Sequence, residues 1–535
     1  DWSIIAKKGN EGFYFFSDED VAAIRSSAKT LWGKKIIADL EQKVKERRKH
    51  SLEVPKEEGG HFHDYFCPVH NLQFTFRWNK PLAQYCSACD KEWIGNNRYD
   101  WAWIYEVHML NRDYMYQCMY LYLATGKRQY ADYIRTMLLD YAGKYAGWFE
   151  HNSGRKATDQ HSGKAFAQSL DEANWATKVA MAYVAIKPVL SKEEVKAIEE
   201  GYLQPAATLL LHRPAGANWQ MWHNSGLAAL GIALENDSIV DVAINKDKYG
   251  YHYLIGKHKN SDGWINEGSP HYHYYPLEAL LFTANAVKCR GIKLFDKDLH
   301  DMFVEPVKGT YPDLSFPAHS DGWYGANLLS QSALYEVGNA RYNDPFLKRV
   351  LELTYAQKKR LDPEALLSNQ LIKASEESLL QKSYSFDTSG FCLLRSDTRT
   401  VVLKFGGEGI GHGHPDKLSI TIHDGKNELV SDFGTSGYGV PDYLKWYKRT
   451  LSHNTVTVDA KDQKRSVGKL LKFNPRSDGG YAEAETTTAY PGVRMKRSLD
   501  LKGTHLQDVY TCTSDSSHLY EYVILFNEKP LMDGQ

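Results

Sequence analysis

The second half of the chain contains two stretches that decide its fold, Thr400-Val-Val-Leu-Lys-Phe405 and Leu418-Ser-Ile-Thr-Ile-His423. Both alternate or run in β-branched and aliphatic residues, as strands do when successive side chains face opposite sides of a sheet. A third stretch of this kind is Asn454-Thr-Val-Thr-Val-Asp459, and Asp424–Gly425 is a hairpin signal. These features predict an antiparallel β domain from about residue 383 onward.

Upstream of these strands, from residue 17 to about residue 380, apolar residues recur mostly at the spacing of helices. A hydroxyl and a carboxylate stand three residues apart at two expected helix starts, Ser17 with Asp20 and Ser191 with Glu194. The segments Tyr114–Ala124 and Tyr130–Tyr145 are separated by a short turn, which favours antiparallel neighbours. Repeated helical pairs of this kind predict a helical toroid.

The change of period from 3.6 to two favours an all-α domain followed by an antiparallel β domain over an interleaved α/β fold. We therefore predict an N-terminal (α/α) toroid, an incomplete barrel, over residues 1–380 and a C-terminal antiparallel β-sandwich over residues 381–535. The segment 357–385, rich in Lys, Glu, Ser and Gln, is the expected connector. Two domains also suit a length of 535 residues, because single cores stop growing at about 250–300 residues.

The charges balance, with 65 Lys and Arg against 66 Asp and Glu, so the chain has no global field that would attract nucleic acid. It contains no run of about 18 apolar residues, and we expect no membrane span. The chain begins at Asp1 without a signal-like apolar stretch, which we interpret as a secreted or periplasmic bacterial protein after processing. Its 13 Trp, 35 Tyr and 20 Phe can fill cores or stack on sugar rings.

Imidazole and carboxylate groups collect around the predicted strands. The motif Gly411-His-Gly-His-Pro-Asp416 precedes one strand, Asp432 ends the next, and His453 stands at the start of another. Such groups either are ordinary polar residues at strand ends or converge on a divalent ion. The mixture of His and Asp suits a borderline metal, and we expect His414, Asp432 and His453 to bind zinc, with manganese or calcium as alternatives.

Two motifs at predicted helix starts carry groups that exchange protons. The first, Gly216-Ala-Asn-Trp-Gln-Met-Trp-His-Asn-Ser-Gly226, places polar side chains in the first turns of an apolar helix. The second, Asp262-Gly-Trp-Ile-Asn-Glu-Gly-Ser-Pro-His-Tyr-His-Tyr-Tyr275, offers carboxylates, imidazoles and phenols. Either motif alone would suit a core helix, but both together predict one half of an active site.

In order and spacing, these motifs resemble those of the heparinase II/III-like polysaccharide lyases, from about residue 100 to residue 460. The resemblance implies a structural metal at His414, Asp432 and His453, with His412 facing the substrate. It further implies that Asn218 neutralises a uronate carboxylate, that His223 assists or acts as the base, and that Tyr272 exchanges the proton. Some relatives have an Asn directly before this His, whereas Asn218 here lies five positions before it. We expect further substrate contacts from Gln220, Trp222, Asn224, Glu267, Tyr275, Tyr438 and Tyr443.

Lyase chemistry explains why such residues are needed. Removing the C5 proton of a uronate requires that the adjacent carboxylate first be neutralised, which amide and imidazole donors can do. A His or Tyr of tuned pKa then moves the proton. The predicted substrate is an acidic polysaccharide, with glycosaminoglycans such as heparan sulfate, hyaluronan and chondroitin sulfate preferred and alginate as the alternative. A glycoside hydrolase using Glu267 and Asp262, or a glycan-binding protein, are the other interpretations.

A cysteine cluster stands apart from these motifs. Cys67-Pro-Val-His70 and Cys86-Ser-Ala-Cys89 have the spacing of paired zinc knuckles. They predict a second zinc site at Cys67, His70, Cys86 and Cys89, although His61, His63 and Asp64 could serve as ligands instead or line the substrate cleft.

Overall fold

The computed structural model describes residues 12–528, apart from 157–160, 378, 380, 381, 408, 409 and 439. Helices occupy most of the described chain up to residue 357. They are α1 Asp18–Lys29, α2 Leu31–Arg47, α3 Asn97–Thr125, α4 Arg128–Tyr145, α5 Ser169–Ile186, α6 Lys192–Ile198, α7 Gln204–Leu211, α8 Ala217–Ala233, α9 Asp237–Asn245, α10 Tyr251–His258, α11 His271–Val287, α12 Lys297–Val304, α13 Ser332–Tyr342 and α14 Pro345–Gln357.

The predicted helix starts are confirmed. Reciprocal hydrogen bonds of a capping box join Ser17 to Asp20 before α1 and Ser191 to Glu194 before α6. The antiparallel pair predicted around residue 125 corresponds to α3 and α4, although α3 begins earlier, at Asn97. Gly126 ends α3 in the left-handed region at a φ of 69°, which glycine adopts without strain.

Helices α5, α8 and α11 pack side by side in the middle of the helical domain. Gly226 on α8 lies so close to the backbone of Ala173 on α5 that an added Cβ would be crowded. Trp175 and Trp222 are fully buried beside this contact, so the aromatic content of these helices mainly fills the core. Because α8 and α11 are neighbours, their first turns bring the two predicted motifs to the same region of the domain.

Strands dominate the chain after residue 383, as the alternating stretches predict. One antiparallel sheet has the order β3-β4-β5-β6-β7, a second has the order β12-β11-β10-β9, and β13 pairs with β8. Their bounds are β3 Tyr384–Phe386, β4 Phe391–Arg395, β5 Thr400–Lys404, β6 Ser419–His423, β7 Glu428–Val430, β8 Val456–Val458, β9 Lys469–Arg476, β10 Gly479–Tyr490, β11 Val493–Lys502, β12 His505–Ser514 and β13 Tyr520–Tyr522.

The five-stranded sheet is buried on both faces. Phe391, Leu393 and Val402 point into the core of the helical domain, whereas Leu394 and Leu403 pack against the second sheet. This double burial explains why β4 and β5 are buried at every position and contain runs of apolar residues rather than a strict alternation. The fold is therefore a helical toroid whose neighbouring β-sandwich presents one sheet face to it.

Hydrogen bonds fix the junction between the two domains. Asp262, in the loop before α11, accepts bonds from the backbone of Thr388 and Ser389 at the β3–β4 turn. On the far side of the sheet, the amide of Thr435 donates to the carbonyl of Gly322 at 2.9 Å. The predicted boundary between residues 380 and 381 lies outside the described residues. Within the described part of the chain, no helix is long and apolar enough to cross a membrane.

One element of the helical domain was not predicted. Between α2 and α3 the chain forms a small lobe with a two-stranded hairpin, β1 Ala83–Cys86 and β2 Lys91–Ile94. Strands of four residues are too short to show a clear alternation in sequence.

Candidate active site

Asp321 lies at the centre of a hydrogen-bonded group at the domain junction. It belongs to the loop between α12 and α13, and its side chain is fully buried. Its Oδ2 lies 2.8 Å from Nδ1 of His412 and accepts bonds from the phenols of Tyr443 at 2.9 Å and Tyr438 at 3.2 Å. Its Oδ1 lies 2.8 Å from Nε2 of His414. One carboxylate therefore orients both histidines of the sequence motif.

These hydrogen bonds keep Asp321 ionised. Burial, the largest influence, raises its pKa, but bonds from His412 and His414 and the nearby Lys448 ammonium outweigh it. The pKa of Asp321 is consequently held far below its ordinary value. Because the Asp321 carboxylate stays negatively charged, it can hold His412, His414 and the two phenols in one orientation.

Tyr272, in the first turn of α11, meets His412 and Tyr438 of the β domain. Its ring stacks on the His412 imidazole with centroids 3.6 Å apart, and its hydroxyl lies 2.5 Å from that of Tyr438. Burial raises the pKa of Tyr272 above its ordinary value, although the hydrogen bond with Tyr438 opposes the shift. The structure thus brings together four residues that the sequence singled out, Tyr272, His412, Tyr438 and Tyr443.

Asn218, in the first turn of α8, lies next to this group through Glu267. The Asn218 side-chain amide donates to Oε2 of Glu267 at 2.6 Å, and its backbone amide donates to Oε1 at 3.0 Å. The same Oε2 lies 3.4 Å from Nε2 of His412. Glu267 is only 1% exposed, so it positions Asn218 and His412 rather than presenting a carboxylate to solvent. Burial raises the pKa of Glu267.

Three more histidines line the same region. The His63 ring meets the Tyr438 ring edge-on, with centroids 5.1 Å apart, and His61 lies beside His63. His271 contacts the Tyr272 ring from the other side. Burial is the largest cause that lowers the pKa of His63 to about 3 and the pKa values of His61 and His271 to about 4. All three are therefore neutral near pH 7 and can donate or accept hydrogen bonds.

Several predicted site residues lie deeper in the helical domain. Gln220 donates to Asn224 at 2.9 Å, and Asn224 donates to the carbonyl of Tyr249, so both side chains stabilise α8 and its surroundings. Trp222 is buried and packs against the Tyr275 ring, with centroids 5.1 Å apart. These positions support the site from below rather than lining it. Their assignment as substrate contacts stays a prediction.

His223, the predicted base, is also fully buried. Burial lowers the pKa of its imidazole to about 4, although nearby backbone groups of Arg213 and Ser169 oppose the shift. Its surroundings, which include His161 and the backbone of Arg213, differ from those of Tyr272. The structure does not bring it into the group around Asp321, and its role as a base stays a prediction.

The predicted metal ligands collect beneath His412. Nδ1 of His453 lies 3.0 Å from Asp432, and the His414 and His453 rings are 5.2 Å apart. Ligand atoms of Asp432, His453 and Asp416 all lie within 4.8 Å of one another, so this group contains two of the predicted ligands, with Asp416 in place of His414. Asp416 also pairs with the ammonium groups of Lys404 and Lys417.

The donors fit a borderline divalent cation. Nδ1 of His414 and Nε2 of His453 are buried and have no hydrogen-bond partner within the described ranges. Neutral imidazole nitrogens and carboxylate oxygens are the ligands that zinc accepts readily. Since the other nitrogen of His414 contacts Asp321, a metal here would be linked to His412 through that carboxylate.

Sequence reasoning missed Asp321 and Asp416 as members of this site and did not use His271. Asp321 stands in a loop without periodicity, Pro317-Ala-His-Ser-Asp-Gly-Trp323, about 90 residues before its partners. Only the concentration of polar residues between two helices could have drawn attention to it. Asp416 was quoted with its motif but was not assigned as a ligand.

Comparisons with known proteins agree with this architecture. A family model described as heparinase II/III-like, C-terminal, matches residues 379–527, and one described as alginate lyase matches residues 107–305. The first match contains His412, and the second contains Asn218 and Tyr272. Both matched regions therefore contribute residues to the candidate site, whereas Asp321 lies between them.

Curated relatives match across both domains. An alginate lyase of Stenotrophomonas maltophilia (strain K279a) is 29% identical over 476 residues, which are 79% of this chain and 63% of that protein. An exo-oligoalginate lyase of Saccharophagus degradans is 26% identical over 485 residues, 80% of this chain and 64% of the relative. The chain thus spans slightly less than two thirds of the length of these two relatives.

The fold also matches a solved structure. A heparinase III gene product with methylated lysines aligns with a TM-score of 0.56 at 15% identity, covering 97% of this chain and 82% of that chain. At this identity the likeness concerns the fold, a helical toroid followed by a β domain. Along the sequence, a region similar to alginate lyases is therefore followed by a region similar to the C-terminal part of heparinase II/III-like proteins.

Proposed function

We propose that this protein cleaves a uronate-containing polysaccharide by β-elimination at the junction of its two domains. The observation that carries the proposal is the group formed by Tyr272 from the helical domain with His412 and Tyr438 from the β domain. It combines a phenol, an imidazole and a hydrogen-bonded path to a buried carboxylate in one place. Proton abstraction next to a carboxylate needs such a set.

Asn218 and His412 neutralise the substrate carboxylate in this proposal. Both are held by Glu267, and His412 is held from its other nitrogen by Asp321. Donors fixed in advance stabilise the developing enolate-like anion without reorganising, which is worth about 3–4 kcal/mol for one such donor.

Tyr272 carries the proton. Its hydroxyl is linked through Tyr438 to Asp321 and to Nδ1 of His412, which gives its proton a path into the network when substrate binds. As a phenolate it takes the C5 proton and returns it to the glycosidic oxygen while the C4–O bond breaks and a C4–C5 double bond forms. Because His223 lies outside this group, Tyr272 performs both steps.

We propose alginate or its oligosaccharides as the substrate. Sulfated glycosaminoglycans, which the sequence favoured, need free cations near the cleft. Three of the cations that flank the sequence motifs are already paired, Arg213 with Glu150, Lys417 with Asp416 and Arg449 with Asp462. The two curated relatives described above are named as alginate and exo-oligoalginate lyases. A uronate chain without sulfate suits this distribution of charge.

The hydrolase alternative lacks two available carboxylates. Asp262 uses both oxygens to bind the backbone and hydroxyl of the β3–β4 turn, and Glu267 is bound to Asn218. Hydrolysis would require a pair of free carboxyl groups about 5–9.5 Å apart on either side of the bond.

We also infer a structural zinc ion held by Asp432 and His453, with His414 or Asp416 completing the set. When bound, it would supply charge that fixes the strand ends beneath His412 and would take no part in bond cleavage. Because a polysaccharide is too large to cross a membrane, we propose that the protein works outside the cytoplasm, secreted or in the periplasm.

The decisive experiment follows ultraviolet absorbance of the unsaturated uronate end on a panel of alginate, oligoalginate, heparan sulfate, hyaluronan and chondroitin sulfate. We expect signal on alginate and its oligomers. New reducing ends without this absorbance would indicate hydrolysis, and neither signal would indicate a binding protein. Absorbance on a sulfated glycan alone would overturn the substrate but not the reaction.

Tyr272→Phe tests the proton transfer. Loss of the phenol should lower kcat by about 10²–10⁴ while leaving the circular dichroism spectrum unchanged. Tyr253→Phe, at an exposed position on α10, is the matched control. An active Tyr272→Phe variant would remove this residue from the mechanism.

A further inference from the structure

The small lobe between α2 and α3, residues 61–96, contains two turns of the same design. In Cys67-Pro-Val-His70 and in Cys86-Ser-Ala-Cys89, the second metal-ligating residue is followed by one in the left-handed region, Asn71 at a φ of 54° and Asp90 at 52°. Each turn lies at the end of an antiparallel pairing, Phe66 with Gln73 and Cys86 with Lys91. A bridge between Thr75 and Tyr85 joins the two halves.

The two turns direct four potential ligands to one point. Sγ of Cys89 lies 3.4 Å from Sγ of Cys67 and 3.0 Å from Nδ1 of His70. The same His70 nitrogen is 3.8 Å from Cys67 and 3.9 Å from Cys86. All four ligand atoms lie within 4.8 Å of one another.

These distances match a tetrahedral zinc site. With bonds of about 2.3 Å to sulfur and about 2.0–2.1 Å to nitrogen, neighbouring ligand atoms in a tetrahedron lie roughly 3.5–3.8 Å apart. The sulfurs of Cys67 and Cys89 are well beyond the roughly 2.05 Å of a disulfide bond, and all four positions are free of disulfides.

The packing of the lobe supplies an independent argument. Tyr65, Phe74 and Ala102 form a hydrophobic cluster with Cys67 and Cys86 that is separate from the main helical core. A core of this size cannot by itself hold two short hairpins, and small domains of this kind rely on a metal or on disulfides. Two of the four ligands are themselves part of the cluster.

We propose that Cys67, His70, Cys86 and Cys89 bind one zinc ion, and that this ion fixes the lobe as one wall of the substrate cleft. The second statement rests on the proposed function. The lobe reaches the β domain at two points close to the ligands. The His63 ring contacts Tyr438, and the Asn71 side chain donates to Asp442 at 3.3 Å.

These two contacts link the zinc ligands to the tyrosines of the candidate active site. His63 is four residues before Cys67, and Asn71 directly follows His70. When the zinc holds both turns, His63 and Asn71 clamp the segment that carries Tyr438 and Tyr443, which in turn bind Asp321. The ligands are positioning residues, because they act on the site only through these neighbours.

The zinc site can be tested without any substrate. The full chain, loaded with cobalt in place of zinc, should show thiolate-to-cobalt charge-transfer absorption, which the His and Asp ligands of the β domain cannot give. Cys89→Ser and His70→Ala should each weaken this band and the binding of one equivalent of zinc, whereas His70→Cys should retain both. Cys512→Ser, which alters a thiol outside the cluster, is the control.

Two results would overturn the site. One is a wild-type protein with no thiolate band, and the other is a protein in which two cysteines resist alkylation until a reductant is added and a peptide map joins Cys67 to Cys89. If Cys89→Ser fails to fold, comparison of His70→Ala with His70→Cys still decides the matter, because His70 is exposed.

The positioning role has its own readouts. His70→Ala should raise KM for the uronate oligomer more than it lowers kcat, and hydrogen exchange should rise in residues 438–448. Unchanged exchange in that segment would refute the positioning role even if zinc binds. A wild-type protein that shows the thiolate-to-cobalt band but has no lyase activity would instead contradict the proposed function alone.

Discussion

Replacing Asp321 by Asn is the sharpest test of the site, because it keeps the shape of the side chain and removes its charge. The amide oxygen can still accept from His414, but the amide nitrogen now faces the groups that Oδ2 served. These are Nδ1 of His412 at 2.8 Å and the phenol of Tyr443 at 2.9 Å, with Tyr438 slightly further away. At least two partly buried donors lose their acceptor.

Each unpaired buried donor costs about 1–3 kcal/mol, so the free energy of unfolding should fall by about 2–6 kcal/mol. His412 will also turn away from the substrate. Losing one preorganised donor corresponds to about 3–4 kcal/mol of transition-state stabilisation, or a fall in kcat of about 10²–10³. The loss should appear in kcat, since Asp321 itself is buried and does not touch the sugar.

The assay is the ultraviolet absorbance of unsaturated products, with urea unfolding in parallel. Asp313→Asn is the matched control, because Asp313 lies in the same loop, its side chain is 38% exposed, and its partners are Ser315 and His423, outside the group around Asp321. If Asp321→Asn turns over substrate as fast as this control, the carboxylate does not orient His412 and the proposed arrangement is wrong.

Two further predictions concern stability. His453→Ala should remove one equivalent of metal and lower Tm, while the thiolate-to-cobalt band persists; equal metal content in His453→Ala and the surface control His518→Ala would contradict it. Asp20, whose burial raises its pKa but whose pairing with Arg341 and Lys288 lowers it from 3.8 to about 2, should contribute about 2 kcal/mol above pH 3.8. This contribution is lost as pH falls from 3.8 to 2, so urea unfolding of Asp20→Asn should be less pH-dependent there; parallel curves would argue against it.

The fold could largely be predicted because period is a local property of the chain. The alternating stretches at 400, 418 and 454 became β5, β6 and β8 within about two residues of the expected bounds. The lobe hairpin escaped notice because each strand has only four residues. The sequence also could not show that both faces of β4 and β5 are buried, because the layers that cover them come from distant parts of the chain.

The site was predictable only where motif and position coincide. Tyr272 lies at a helix start and His412 lies between two glycines, which are positions where functional side chains often occur. The structure brings the two residues together. Gln220 and Asn224 were expected to face the substrate, yet their separation of four residues on one helix lets them bond to each other. Asp321 acts across about 90 residues of chain, and spacing in sequence carries no trace of such a contact.

Asp321 belongs to the helical half, yet the four side chains bonded to it all come from the β half. Neither half alone therefore holds a reaction centre, although each has its own core. A β domain with this histidine pair therefore needs a helical partner that places a carboxylate at this position, and separating the two halves would leave both histidines without the acceptor that orients them.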